Sequence, residues 1–127
     1  MSLHVHNLTF DCADARALAT FWSRLTGWNV YYDDDPEVVV APCFPYDGTG
    51  MLFIPVPEGK TAKNRLHIDI RVAGEGPWDL AERERLIRDL WPRLEAAGAT
   101  YVREESYDGA LGHVVMLDPE GNEFCVA

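Results

Sequence analysis

The sequence predicts an α+β fold of two tandem βαβββ modules that share a curved mixed sheet, with the helices on the outside. Three observations carry this reading. Short runs of alternating apolar and polar residues recur at strand length, and two stretches of helical spacing interrupt them. The order strand, helix, three strands then occurs twice, so that Asn7 and His67 hold equivalent places 60 residues apart. Two independent passes that agree weigh more than any single strand assignment. The modules occupy residues 4–56 and 65–127, with residues 57–64 as the linker. At 127 residues the chain has the length of one domain. Such a chain removes roughly two-thirds of its unfolded surface from water, so it needs no disulfide or metal merely to fold.

The first strand is expected over residues 3–11, with Leu8, Phe10 and Cys12 on one face and Asn7, Thr9 and Asp11 on the other. Asp14 stands at an N-cap position ahead of Leu18, Phe21, Trp22 and Leu25 at helical spacing, and Gly27 marks the stop. Residues 28–32 form the next strand, followed by a turn through Asp33, Asp34, Asp35 and Pro36 and a β-branched strand at 38–40. A loop rich in Pro and Gly over 42–50 leads to a fourth strand at 51–54. In the second half, residues 66–72 alternate like the first strand. A helical region over 79–97 carries the stripe Ile87, Leu90, Trp91, Leu94 and Ala97, with Gly98 at its end. Pro92 removes a helical hydrogen bond, so a kink or a break is expected there. Residues 74–89 are longer than their counterpart and read as an insertion. Strands at 101–104 and 113–117 follow, then a tight turn at Asp118-Pro119-Glu120-Gly121 and a last strand at 124–126. The helical stripes place Phe21, Trp22 and Trp91 in the core, whereas Glu82-Arg83-Glu84-Arg85 reads as an exposed, ion-paired helix face. The Asp33-Asp34-Asp35 run lacks calcium-loop spacing and reads as a solvated turn.

Eleven basic against 21 acidic residues leave a net charge of −10, with pI near 4.6. That balance excludes duplex nucleic acid and anionic membrane surfaces as partners, since both reward a basic face. An apolar content of 47% excludes a disordered acidic tail. No apolar run is long enough to span a bilayer, and no basic-then-apolar leader opens the sequence. Cys12, Cys43 and Cys125 are odd in number and share no CxxC spacing, which reads as reduced thiols in a cytoplasmic protein.

Strand parity then points to a site. Leu8, Phe10, Ile68, Ile70 and Val72 face the helices, while Asn7, Thr9, Asp11, His67, Asp69 and Arg71 face a cavity shared by the modules. Buried polar groups cost free energy unless paired, so this face implies a solvated pocket or a polar ligand. The plain alternative is a sheet with one wet face. His67 is the catalytic candidate, as a hydrogen-bonding or acid/base group. Arg71, beside Asp69 and opposite Asp11, either binds a ligand carboxylate or phosphate or fills the cavity with an internal ion pair. Cys125 is either a nucleophile activated by His67 or a buried inert thiol. One parity of Trp28, Tyr31 and Tyr32 faces the cavity, where a ring can stack on a flat ligand. His4, His6 and His113 show no convergent partners.

Several motifs together resemble the vicinal oxygen chelate superfamily, which covers glyoxalase I, bleomycin-resistance proteins and extradiol dioxygenases. They are Leu8-x-Phe10-x-Cys12-x-Asp14, Phe21-Trp22 and Gly27-Trp28 in the first half. The second half adds Leu66-His67-Ile68-Asp69-Ile70, Gly98-Ala99-Thr100 and Asp118-Pro119-Glu120-Gly121-Asn122. Asn64-Arg65-Leu66-His67 and Gly121-Asn122-Glu123-Phe124-Cys125-Val126 are similar to its glyoxalase-like domain subgroup. In metal-using members the first strand of a module offers His or Gln and the last strand offers Glu. Those places map here onto Asn7, Phe53 or Ile54, His67 and Cys125, and only His67 is kept. A catalytic zinc site takes three protein ligands. His67 and Cys125 supply two, Asn7 is a poor third, and Asp11 or Asp69 is the further candidate, which would have to swing in. The resemblance therefore implies a small-molecule binding protein or metal-independent enzyme, with Asn7, Asp11, Asp69, Arg71 and Cys125 around the ligand and His67 either a working group or the relic of a metal site. The less favoured implication is a lyase, isomerase or dioxygenase that holds Zn, Ni, Mn or Fe on His67 and Cys125. The partner is a small organic molecule, and pairing of modules across subunits in the superfamily makes a homodimer the expected assembly.

Overall fold

In each half of the chain the first strand pairs in parallel with the last, and this pairing organises everything between them. The computed structural model describes residues 1–32, 36–73 and 79–127. The acidic turn at Asp33, Asp34 and Asp35, the side chain of Tyr32 and the first part of the expected insertion, 74–78, lie outside the described residues. The chain divides into two compact units, Met1–Lys60 and Thr61–Ala127. The first holds β1 (Asn7–Cys12), α1 (Ala15–Thr26), β2 (Asn29–Tyr32), β3 (Val38–Ala41) and β4 (Gly50–Pro55). The second holds β5 (Ile68–Ile70), α2 (Leu80–Ala96), β6 (Thr100–Tyr107), β7 (Ala110–Leu117) and β8 (Glu123–Val126). The sheets run β1-β4-β3-β2 and β5-β8-β7-β6, the same order twice, with β1/β4 and β5/β8 parallel and the remaining pairs antiparallel.

Local chemistry sets the helix ends. Asp14 accepts from the Ala17 backbone N–H at 3.0 Å, satisfying one of the donors a helix start leaves open. At the other end Gly27 adopts φ +75 and its N–H closes on the Ser23 carbonyl, a left-handed cap that suits glycine. Leu18, Ala19, Phe21 and Trp22 form the buried stripe. Trp22 meets Phe10 at 5.5 Å, and Phe10 stacks on Phe53 at 4.9 Å. In unit 2, Asp79 caps α2 by accepting from Ala81 and Glu82, while Ile87 and Leu94 are its buried anchors. Val114, Met116, Phe124 and Val126 are the fully buried parity of that sheet.

Several expectations need correction. β1 starts at Asn7 rather than at residue 3, because the register sets Gly50, the first residue of β4, opposite Asn7. Before that point no strand among the described residues lies beside the chain, and Leu3 and Val5 are left 85% and 61% exposed. β5 is only three residues long, although Val72 still donates to Ala127 beyond its end. α2 runs unbroken through Pro92. Its cap and the ion pairs Arg85–Asp89 and Arg88–Glu84 support the helix ahead of the proline. Trp91 is half-buried, resting against Tyr101 at 5.2 Å and under the Arg88 guanidinium, and is no core residue. Within the 82–85 charge run, Arg85 pairs outward with Glu82, but Arg83 is half-buried and donates to the Gly112 carbonyl.

The turn after β7 is built on one buried carboxylate. Asp118 accepts from the backbone of Glu120 and Asn122 and from the Asn122 amide, and is the one buried charged residue among those described. Gly121, at φ +84, donates back to the Asp118 carbonyl and closes the turn.

Phe53 lies fully buried between β1 and β3, so Phe53→Ala is expected to cost about 3–5 kcal/mol of stability. Urea unfolding followed by circular dichroism measures it.

Candidate functional site

Backbone register decides which side chains meet on the sheet face turned away from each helix. In unit 1 the central row reads Thr9, Leu52, Val39, Tyr31. The matching row of unit 2 reads Asp69, Cys125, Val115, Arg103. The unit 1 counterpart of Cys125 is therefore Leu52, a correction to the mapping onto Phe53 or Ile54. Phe53 belongs to the core side, and Ile54 pairs with Asp11 one pleat further along.

Unit 1 carries an open pocket of about 360 Å³ lined by His6, Asn7, Glu37, Val39, Phe44, Pro45, Tyr46 and Leu52. Of these lining residues the sequence signalled only Asn7, with Tyr31 as a neighbour of the wall. The loop residues Phe44 and Tyr46 carry no periodicity, so nothing in the pattern marked them. Tyr31 leans on Phe44 at 5.3 Å, and His6 stacks flat on Tyr46 at 4.7 Å and 3°. His6 thus has a partner that strand parity could not show. The Tyr46 hydroxyl donates to the Asn7 side-chain oxygen. Gly50 makes this possible, since a Cβ there would sit 2.8 Å from the Tyr46 ring. With its oxygen engaged, the Asn7 amide presents its N–H donors.

In unit 2, Asn64 accepts from the Glu123 backbone N–H at 3.2 Å and donates to the Leu66 carbonyl at 3.1 Å. This clasp ties the segment before β5 to the start of β8, next to which His67, Asp69 and Cys125 come together. Their ligand atoms lie within 4.8 Å of one another, and His67 Nε2 is 3.4 Å from Asp69 Oδ1. His67 and Asp69 are exposed, whereas Cys125 is buried. Around them, Glu123 pairs with Lys63 at 2.6 Å and Arg103 with Glu105 at 2.6 Å. Burial pushes the Cys125 thiol up to about 11, and the charge of Asp69 and a hydrogen bond with it add to the effect. At neutral pH the thiol is therefore protonated, which disfavours the nucleophile reading. The arginine beside it is held above its ordinary range, chiefly by the hydrogen bond from Arg103 to Glu105. His113 also finds a partner, the Tyr107 hydroxyl at 2.8 Å from Nδ1. Asp11 and Arg71 are exposed, Asp11 within β1 and Arg71 just past β5, and neither joins the cluster of His67, Asp69 and Cys125.

One imidazole, one carboxylate and one thiol suit a borderline cation such as zinc better than the hard cations that prefer all-oxygen sets. At the equivalent places unit 1 offers less, because Leu52 is apolar and the neutral Asn7 oxygen already accepts one hydrogen bond from Tyr46.

Two βαβββ units of one topology, each turning a polar-edged sheet face away from its helix, define the doubled-module class of α+β proteins. The glyoxalase-like domain family matches residues 7–127, and the chain belongs to this family, within the vicinal oxygen chelate superfamily. No curated protein matches the sequence significantly. Among solved structures, the chain is similar to a glyoxalase/bleomycin resistance protein/dioxygenase family enzyme from Burkholderia phytofirmans. The TM-score is 0.73 at 15% identity, over 98% of this chain and 97% of that one. A glyoxalase-related enzyme from Fulvimarina pelagi gives 0.69 at 19% identity, over 99% of this chain and 88% of that one. The fosfomycin resistance protein FosX from Listeria monocytogenes, in complex with Mn(II) and a dihydroxypropylphosphonic acid, gives 0.69 at 13%, over 99% and 89%. At these identities the likeness is one of fold. No helix among the described residues is long and apolar enough to cross a membrane.

Alkylation by iodoacetamide with mass-spectrometric mapping is expected to label exposed Cys43 first, with Cys125 accelerating only as pH climbs toward about 11. Because folding favours the neutral thiol, its contribution to stability is complete below the ordinary value of 9.0 and is lost as pH rises from there to about 11. Equal labelling of the two thiols at neutral pH contradicts this.

Proposed function

We propose that this chain is a small-molecule-binding protein of the glyoxalase/bleomycin-resistance type that works without a metal, its ligand seated against the aromatic pocket of unit 1. The observation that supports this most directly is the state of Asn7. It stands where the superfamily resemblance puts a metal ligand, yet its side-chain oxygen accepts from the Tyr46 hydroxyl, which engages one of that oxygen's two lone pairs. What the amide offers instead is N–H groups toward a pocket with apolar walls, Val39, Leu52 and Phe44. A volume of about 360 Å³ lies in the range of small-molecule sites, which are mostly apolar with a few placed polar groups. His67 with Asp69 is the acid/base candidate, should the bound molecule be turned over.

A second reading, a metal-dependent lyase, isomerase or dioxygenase, is favoured by the convergence of His67, Asp69 and Cys125. Those three residues would hold the ion, which when bound supplies Lewis acidity toward a carbonyl or hydroxyl oxygen.

A thermal-shift screen of metabolites and antibiotics, run with and without EDTA, separates the two. A ligand that binds the native state at a hundred times its Kd stabilises it by about 2.7 kcal/mol. The expected hit raises Tm equally with and without chelator, and raises it less in Gly50→Ala, where the Tyr46 ring must move off Asn7. A stoichiometric metal in the purified protein that disappears in His67→Ala, together with shifts seen only when that metal is present, overturns the first reading in favour of the second.

A further inference from the structure

The proposed binding role leaves the ligand's chemistry open, and the pocket's lining narrows it. Three rings, His6, Phe44 and Tyr46, stand in its walls. Phe44 is 62% exposed, a large apolar surface turned to solvent with Tyr31 and Tyr46 tilted beside it at 5.3 and 6.3 Å. His6 and Tyr46 form a stacked pair at 3°, a stack that another ring can extend only at an outer face. Among the described residues that line the pocket, Glu37 is the one carboxylate, it is half-buried, and no Lys or Arg stands with it. Aromatic faces carry negative quadrupole potential, so they favour cations, and a carboxylate in the same wall adds to that preference. The whole chain, at net charge −10, draws cations and repels anions at distance. The Asn7 amide adds a neutral polar group to the lining.

Resting on the binding role proposed above, we infer that the ligand class of this pocket is a flat, ring-bearing organic cation, held by Phe44 and Tyr46 through its ring and by Glu37 through its charge. An anionic phosphonate or carboxylate does not fit this wall, because it would face Glu37 with no cation to offset it. A purely apolar molecule would leave Glu37 desolvated and unpaired, which is costly for a carboxylate.

Isothermal titration calorimetry of the full chain with three ring systems of similar size tests this at neutral pH and low salt: N-methylquinolinium, quinoline (uncharged there) and naphthalenesulfonate. The expected order is the quinolinium tightest, by roughly tenfold over quinoline, and the sulfonate weakest. Raising the salt concentration is expected to narrow the gap, since the charge contribution is screened. Glu37→Gln, which keeps the side chain's shape, is expected to narrow the gap between quinolinium and quinoline to the part the aromatic faces supply, while quinoline itself is unchanged. Phe44→Ala is expected to weaken all three. The inference is overturned if quinoline or the sulfonate binds the unaltered protein as tightly as the quinolinium, or if Glu37→Gln leaves the ratio as it was. In those cases ring binding that Phe44→Ala still weakens keeps the binding role intact. If none of the three probes binds, the pocket itself fails as the site, and the binding role placed there falls with it.

Discussion

The parallel pairing of the first and last strands in each unit is the constraint on which the molecule depends. Side chains on a strand alternate between faces, so a slip of one residue would exchange the helix-covered set for the outward one. Setting Asn7 opposite Gly50 commits Phe10 and Phe53 to the interior against α1, and leaves Thr9, Leu52 and Val39 on the other side. Setting Asp69 opposite Cys125 does the same for unit 2. Both the oily interior and the polar edge of each sheet follow from one register. The stacking of Phe10 on Phe53 secures that register in unit 1, because a slip of one residue would set the two rings on opposite faces.

Most of this architecture was legible in the residues. Asp14 and Gly27 announced the ends of α1, and the run through Asp118 and Gly121 announced its turn, because each is local chemistry that neighbours in sequence dictate. Strand length was less legible. Leu3 and Val5 alternate as well as Leu8 and Phe10 do, but a strand exists only where another backbone lies beside it, and β4 starts too late to cover them. Pro92 is a similar case, since the cap and ion pairs elsewhere on α2 outweigh its one missing hydrogen bond, a balance that the proline's own position does not display.

The candidate sites split along the same line. His67, Asp69 and Cys125 were readable because strand parity and the doubled pattern put them on one face, although their mutual approach within 4.8 Å required the Asn64 clasp and the β5/β8 register. The pocket of unit 1 was largely unreadable. Phe44, Pro45 and Tyr46 sit in a loop without period, and their position over Asn7 depends on a glycine five residues from the end of β4 that leaves room for a ring. Contacts made by loops across a sheet face have no signature in spacing, since they are long-range in sequence and set by tertiary packing.

The buried carboxylate at the β7–β8 connection has a consequence for anyone redesigning the chain. Every residue from Asp118 to Asn122 answers to that one side chain or to its backbone, save Pro119, so the connection has a fixed length. Grafted segments, tags or new junctions belong instead at the exposed tip between β6 and β7, where Asp108 and Gly109 already turn with positive φ and bear no such obligations.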